Sequence, residues 1–212
     1  MRNIADKERS DGIHLHGPLP GVSVHLCLDM QRLLAPEGPW PTPWIEPALE
    51  RQVRLIERRP EATIFTRFIP PKSPEDMPGT WRQYYEKWRH VTRDFIDPRL
   101  LDLLDDVGKY VPPATVLDKT RYSAFPNSRL QTLLAQKRCS TLIVSGAETD
   151  VCVLATVINA VDLGYRVVIA SDAICSSSDE CHDALMTLYH KRFSQQIEIA
   201  STEVILENWQ MA

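Results

Sequence analysis

No apolar run in this 212-residue chain approaches the roughly 20 residues needed to cross a bilayer. The opening residues, MRNIADKERSDG, have no hydrophobic region of the kind a secretory signal carries. From these two absences we expect a cytoplasmic protein with no membrane partner. Basic residues are not in surplus: 24 Lys and Arg stand against 28 Asp and Glu, a net charge of −4, which leaves no electrostatic footprint for nucleic acid. Arginines do gather between Arg51 and Arg59 and between Arg82 and Arg93, but acidic residues interleave both groups, as on solvated helix faces. The cysteines, Cys27, Cys139, Cys152, Cys175 and Cys181, are odd in number and contain no CxxC pair, which excludes a disulfide framework and a structural zinc site. Repeats, low-complexity tracts and linker-like stretches are also missing. We therefore expect one domain over residues 1–212, with residues 1–21 as an N-terminal arm that packs on the surface or on a neighbouring subunit. His14 and His16 in that arm have no third metal ligand beside them.

What the chain does have is an alternation of short aliphatic runs with amphipathic segments. Runs at 22–29, 62–67, 114–119, 141–145, 165–172 and 197–201 predict buried strands. Between them, apolar residues at helical spacing predict a helix over 45–58, a short helix around Leu100–Leu104, another around Leu130–Leu134, one after residue 148, one over 179–189 and a last one over 202–209. Such alternation implies an α/β fold: a three-layer, doubly wound, Rossmann-like parallel sheet with helices on both faces. The connection after the second strand is long and carries Trp81, Tyr84, Tyr85 and Trp88 at helical spacing. It reads either as a surface helix burying an aromatic face or as a wall of a substrate pocket.

The stretch Ser140–Gly164, STLIVSGAETDVCVLATVINAVDLG, organises the chain. An aliphatic run breaks at Ser145–Gly146, the polar residues Glu148, Thr149 and Asp150 stand where a helix cap is expected, and Cys152 falls in the first turn. There the helix dipole and unpaired backbone N–H groups favour a thiolate. In an open parallel sheet the ligand site lies beyond the carboxyl ends of the strands. Asp29 ends the first predicted strand and Lys119 the third, while the turn to Cys152 follows the fourth. A carboxylate, an amine and a thiol thus converge on one rim.

With LDMQ at Asp29, DK at Lys119, SGAETDVCV at Cys152 and GYRVVIASDA after it, the chain resembles the isochorismatase-like cysteine hydrolases, which include N-carbamoylsarcosine amidohydrolases and nicotinamidases. The resemblance implies Cys152 as nucleophile, Asp29 as general acid/base and Lys119 as the cation that holds the thiolate. It also implies a non-proline cis peptide at Ala147–Glu148, with the backbone N–H groups of Glu148 and Cys152 as the oxyanion hole. Nicotinamidases of this family carry a metal-binding Asp-x-His set, whereas residues 30–100 here hold one histidine, His90, without that motif. We therefore expect no metal and no cofactor. True isochorismatases, which cleave a vinyl ether, lack the cysteine, so Cys152 favours amide or ureide chemistry. The resemblance further implies a homo-oligomer, dimer or tetramer, acting on a small molecule.

Candidate substrate contacts are Gln31, Arg67, Trp81, Tyr122 and Phe125. Glu148 or Asp150 could meet a cationic group, while Arg67 or Arg121 could instead meet a carboxylate, and the residues alone do not rank these. Three other readings stand beside C–N hydrolysis: a non-catalytic binding or interaction module, a vinyl-ether (isochorismatase-type) hydrolase, and thiol redox work with Cys175 or Cys181 resolving Cys152.

Overall fold

In the computed structural model, which describes residues 15–126 and 128–210, each aliphatic run becomes a strand. Val24–Leu28, Thr63–Phe68, Thr115–Lys119, Thr141–Ala147, Arg166–Cys175 and Ile197–Ala200 form β1–β6 of one sheet in the order β3-β2-β1-β4-β5-β6. All neighbouring pairs are parallel. The helices are α1 (Ile45–Arg58), α2 (Thr80–Lys87), α3 (Asp105–Gly108), α4 (Leu130–Gln136), α5 (Leu154–Asp162), α6 (Asp179–Arg192) and α7 (Thr202–Asn208). His14 and Asn127 lie outside the described residues.

Strand residues alternate between two cores. Leu26, Leu28, Ile64, Val144 and Val167 pack against Leu130 and Leu134 of α4, Val157 and Ala160 of α5 and Tyr189 of α6. Their neighbours Cys27, Phe65, Ile143 and Val168 face α1 and α7 on the opposite side. This is the expected three-layer, doubly wound arrangement, and each fully buried Leu or Ile in it contributes roughly 1.5–3 kcal/mol. The buried stripe of α1 runs Ile45, Ala48, Gln52, Leu55, Ile56, with the expected Leu49 and Val53 only half-buried. Gln52 is tolerated there because its amide donates to the Ala173 carbonyl at 2.9 Å.

Some boundaries differ from expectation. The helix expected around Leu100–Leu104 is a 3₁₀ turn, Pro98–Leu101, followed by α3; Pro98 opens the turn and the Asp97 side chain caps it. Strand β4 does not stop at Ser145–Gly146 but continues to Ala147. Gly146 holds a φ of 110°, and a Cβ there would lie 2.1 Å from the Leu28 carbonyl oxygen, so the glycine permits the strand to pass close to β1 instead of breaking it. Strand order reverses between β1 and β4, which opens a crevice beyond their carboxyl ends.

A buried histidine ties these two strands. His25 of β1 sits with its Nε2 2.7 Å from Ser145 Oγ of β4. It is fully buried, and loss of hydration lowers its pKa to about 3. Between pH 6.5 and about 3 the unfolded chain binds a proton at His25 that the folded protein refuses, so stability is intact above this window and falls as pH drops through it. The loss is about 1.4 kcal/mol per pH unit. Urea midpoints taken from pH 7 to 4.5 should fall more steeply for the wild type than for His25→Gln; parallel slopes would refute the assignment.

Candidate active site

Asp29 follows the last residue of β1 and takes a left-handed φ of 52°, which a short polar side chain tolerates better than most. Thr66 of the adjacent β2 fixes it twice: the threonine hydroxyl donates to Asp29 Oδ1 at 2.6 Å and accepts the Asp29 N–H at 3.1 Å. Lys119 closes β3 and is fully buried. Its ammonium lies 2.7 Å from Asp29 Oδ2, donates to Cys152 Sγ at 3.3 Å and to the Arg121 carbonyl at 3.0 Å, and rides 5.0 Å above the Phe68 ring. The Oδ2 contact is a close, buried ion pair, and the same carboxylate neighbours the Cys152 thiol. The three residues that the sequence brings to one rim therefore meet around one buried cation.

Cys152 is positioned by an unusual turn. The Ala147–Glu148 peptide is cis, and Thr149–Val153 then forms one π-helical turn before α5 begins. The Glu148 carbonyl accepts the N–H groups of both Val151 and Val153. The expected capping does not occur, because Glu148 stands at the cap position without a side-chain cap bond. Its carboxylate instead accepts the Ser177 N–H at 3.1 Å, and Asp150 accepts the Ser176 hydroxyl at 2.5 Å.

The resting charge of the sulfur also departs from expectation. Burial pushes the Cys152 thiol well up, the Lys119 charge offsets this only in part, and Asp29 adds to the rise. A helix N-terminus and a lysine suggest a standing thiolate, but here the ammonium already faces a carboxylate and water is largely excluded. For Lys119 burial alone would favour the neutral amine, yet Asp29 and Cys152 outweigh it and hold the pKa above the ordinary lysine value.

These groups open onto a cavity of about 420 Å³ lined by Asp29, Gln31, Ala147, Glu148, Val151, Cys152 and Ser177, by Leu33, Leu34, Pro39 and Pro41, and by the rings of Trp40, Phe68, Tyr84, Trp88 and Tyr122. Tyr122, a candidate substrate contact, lines the cavity. Gln31 lines the cavity, but its amide is spent as a strut: it accepts the Phe68 N–H at 2.6 Å and donates to the carbonyls of Phe68 and Leu101 at 3.2 and 2.8 Å.

Arg67, Trp81 and Phe125 do not reach the cavity. Arg67 alternates with the cavity-lining Phe68 and so points to the other face, where Asp118 holds it at 2.7 and 3.0 Å. Trp81 forms a second layer, 4.8 Å from the Tyr122 ring. Phe125 turns into the core and stacks on Tyr165 at 5.9 Å. Helix α2 buries Tyr85, while Tyr84 and, just past its last residue, Trp88 line the cavity.

Trp40 and Phe68 line the cavity and Thr66 holds Asp29, and the sequence did not single them out. A usable signal existed for Trp40, because the Pro-rich loop that carries it follows directly on Asp29 and must run over the same rim. Among the described residues no three metal-ligating side chains gather, and no helix is long and apolar enough to cross a membrane.

Comparison with known proteins agrees with this architecture. An uncharacterized isochorismatase family protein of Bacillus subtilis is 30% identical over 89 residues, 42% of this chain, and the chain spans only 49% of that relative's length. The N-carbamoylsarcosine amidase of an Arthrobacter species is 42% identical over a shorter segment of 59 residues, 28% of this chain and 22% of its own. A cysteine hydrolase from Pseudomonas syringae superposes with a TM-score of 0.79 at 19% identity, covering 92% of this chain and 95% of its own, which is a likeness of fold. The isochorismatase domain model matches residues 23–201. That match includes the whole sheet and every element that feeds the cavity, and the chain belongs to the isochorismatase family of hydrolases.

Proposed function

We propose that this protein hydrolyses a C–N bond in a small amide, carbamoyl or ureido compound, with Cys152 as nucleophile, Asp29 as general acid/base and Lys119 as the organising cation. The observation that carries this reading is one buried ammonium lying 2.7 Å from the Asp29 carboxylate and 3.3 Å from the Cys152 sulfur. A binding module has no use for a charged pair buried beside a thiol, and a redox cysteine gains little from a carboxylate that raises its pKa.

Because burial holds the Cys152 thiol pKa up, attack and deprotonation run together. Asp29 takes the thiol proton as sulfur bonds to the substrate carbonyl carbon. The oxygen of the tetrahedral intermediate rests on the backbone N–H groups of Glu148 and Cys152. Collapse breaks the C–N bond, the proton on Asp29 passes to the departing nitrogen, and a thioester remains. Water, deprotonated by Asp29, then cleaves the thioester to the acid and restores the thiol. No cofactor is needed in this course. Lys119 balances each developing negative charge in turn.

The test is ammonia or amine release across a panel of primary amides and ureides, followed by acid quench during turnover, proteolysis and peptide-mass measurement. The expected result is an adduct of the acyl mass on the peptide that contains Cys152. A panel without product and without adduct would overturn the reading.

A further inference from the structure

One carboxylate in the cavity has no part in this chemistry. Glu148 lines the pocket, half-buried, with Oε1 engaged by the Ser177 N–H at 3.1 Å. Its charge reaches Tyr84 and Tyr122: burial, then Tyr122 and Glu148, hold the Tyr84 phenol above the ordinary tyrosine value, and burial, then Cys152 and Glu148, do the same for Tyr122. Among the described residues no arginine or lysine lines the cavity. The nearest cations are committed elsewhere. Arg67 is clamped on Asp118, Arg121 lies over the Trp81 ring and donates to the Thr120 carbonyl, and Lys119 is neutralised by Asp29.

With Asp29 and Lys119 cancelling, the remaining charge at the wall is that of Glu148. A carboxylate-bearing substrate would bring a second negative charge into a partly desolvated space with no counter-ion. A cation would meet Glu148 and the faces of Tyr84, Trp88 and Tyr122, all of which attract it. Asp150, the other acidic candidate of the sequence, does not line the cavity.

We propose that Glu148 is the specificity-determining residue of this cavity, selecting amides or ureides that carry a positively charged nitrogen, such as a protonated or methylated amine, and rejecting carboxylates. This rests on the hydrolase reading of the site. Three primary amides of equal chain length, ending in trimethylammonium, tert-butyl or carboxylate, supply the test, because the first two are matched in shape. The kcat/KM of the wild type should favour trimethylammonium over tert-butyl by about ten-fold, with carboxylate last. In Glu148→Gln the preference should shrink to about three-fold or less. A wild type that ranks the carboxylate first, or a Glu148→Gln variant that keeps the wild-type ranking, would overturn the proposal.

The wild-type preference should also decline from low to high salt, a measurement that requires no substitution; a preference indifferent to salt would count against a charge-based selection. The same compounds titrated against Cys152→Ala by tryptophan fluorescence separate the two readings. Tighter binding of the trimethylammonium compound without turnover by the wild type would support the selectivity while removing the hydrolase. Turnover without charge preference would remove the selectivity alone.

Discussion

Cys152→Ala is expected to lower ammonia release by about 10⁴-fold or more, with the fold intact. The proposed course has no second nucleophile: Asp29 is held by Thr66 at 2.6 Å and by Lys119 at 2.7 Å, and the tyrosines that line the cavity titrate above the ordinary phenol range. The substitution removes one partner of Lys119 and leaves two, Asp29 and the Arg121 carbonyl, so the melting temperature should fall by only a few degrees. Cys152→Ser discriminates further. A hydroxyl keeps a hydrogen bond to the ammonium but is a far poorer nucleophile when its proton must go to a carboxylate, so the serine variant should bind substrate normally and turn over about 10³-fold slower or less. If the alanine variant released ammonia at the wild-type rate, the sulfur would be a bystander and the cluster structural.

The same cluster shows what the sequence made legible. Asp29 and Lys119 could be placed because buried parallel strands read as unbroken aliphatic runs, and the residue that ends such a run must stand at the sheet rim. Helix α1 was readable to its ends, since a Pro-rich loop precedes it and a proline follows it. Less was readable where a residue serves a close approach or a long-range contact. Gly146 looks like a strand break, yet it is the position where β4 passes too near Leu28 for any Cβ. Gln31 has the right place and chemistry for a substrate contact, but strand pairing puts Phe68 within reach of its amide first. Arg67 misled because alternation within β2, invisible until the neighbouring Phe68 is known to face the cavity, sends it to Asp118.

Electrostatics was the least legible part. The kinds of residue around Cys152 suggest a lowered thiol pKa, and burial, with Asp29 added to it, reverses that sign. At 2.7 Å from Asp29 the ammonium belongs first to the carboxylate, and burial then dominates the sulfur. The consequence is mechanistic, because a neutral resting thiol needs a base in contact, whereas a standing thiolate would not.

Asp29→Asn should therefore cost stability as well as activity. It leaves the Lys119 ammonium, whose side chain is fully buried, without its ion-pair partner, and breaking one side of a buried pair typically costs about 3–5 kcal/mol. In a chain of this size that corresponds to a fall in melting temperature of roughly 10 °C. The lost charge would also lower the lysine pKa below its unfolded value. The unfolded state then binds the extra proton, and the variant should regain stability as pH rises toward about 9. The wild type has the opposite sign: its Lys119 pKa is raised, so that contribution is whole at neutral pH and fades only as pH climbs through the folded-state value. Lys119→Met alone should also destabilise, since Asp29 would remain buried and unpaired. The double variant Asp29→Asn, Lys119→Met carries neither charge and should be more stable than Asp29→Asn, with a coupling energy of several kcal/mol in the double-mutant cycle. All three should be inactive. Additive losses would mean that the two side chains act on folding separately, and the buried ammonium could no longer be the group that organises both carboxylate and sulfur.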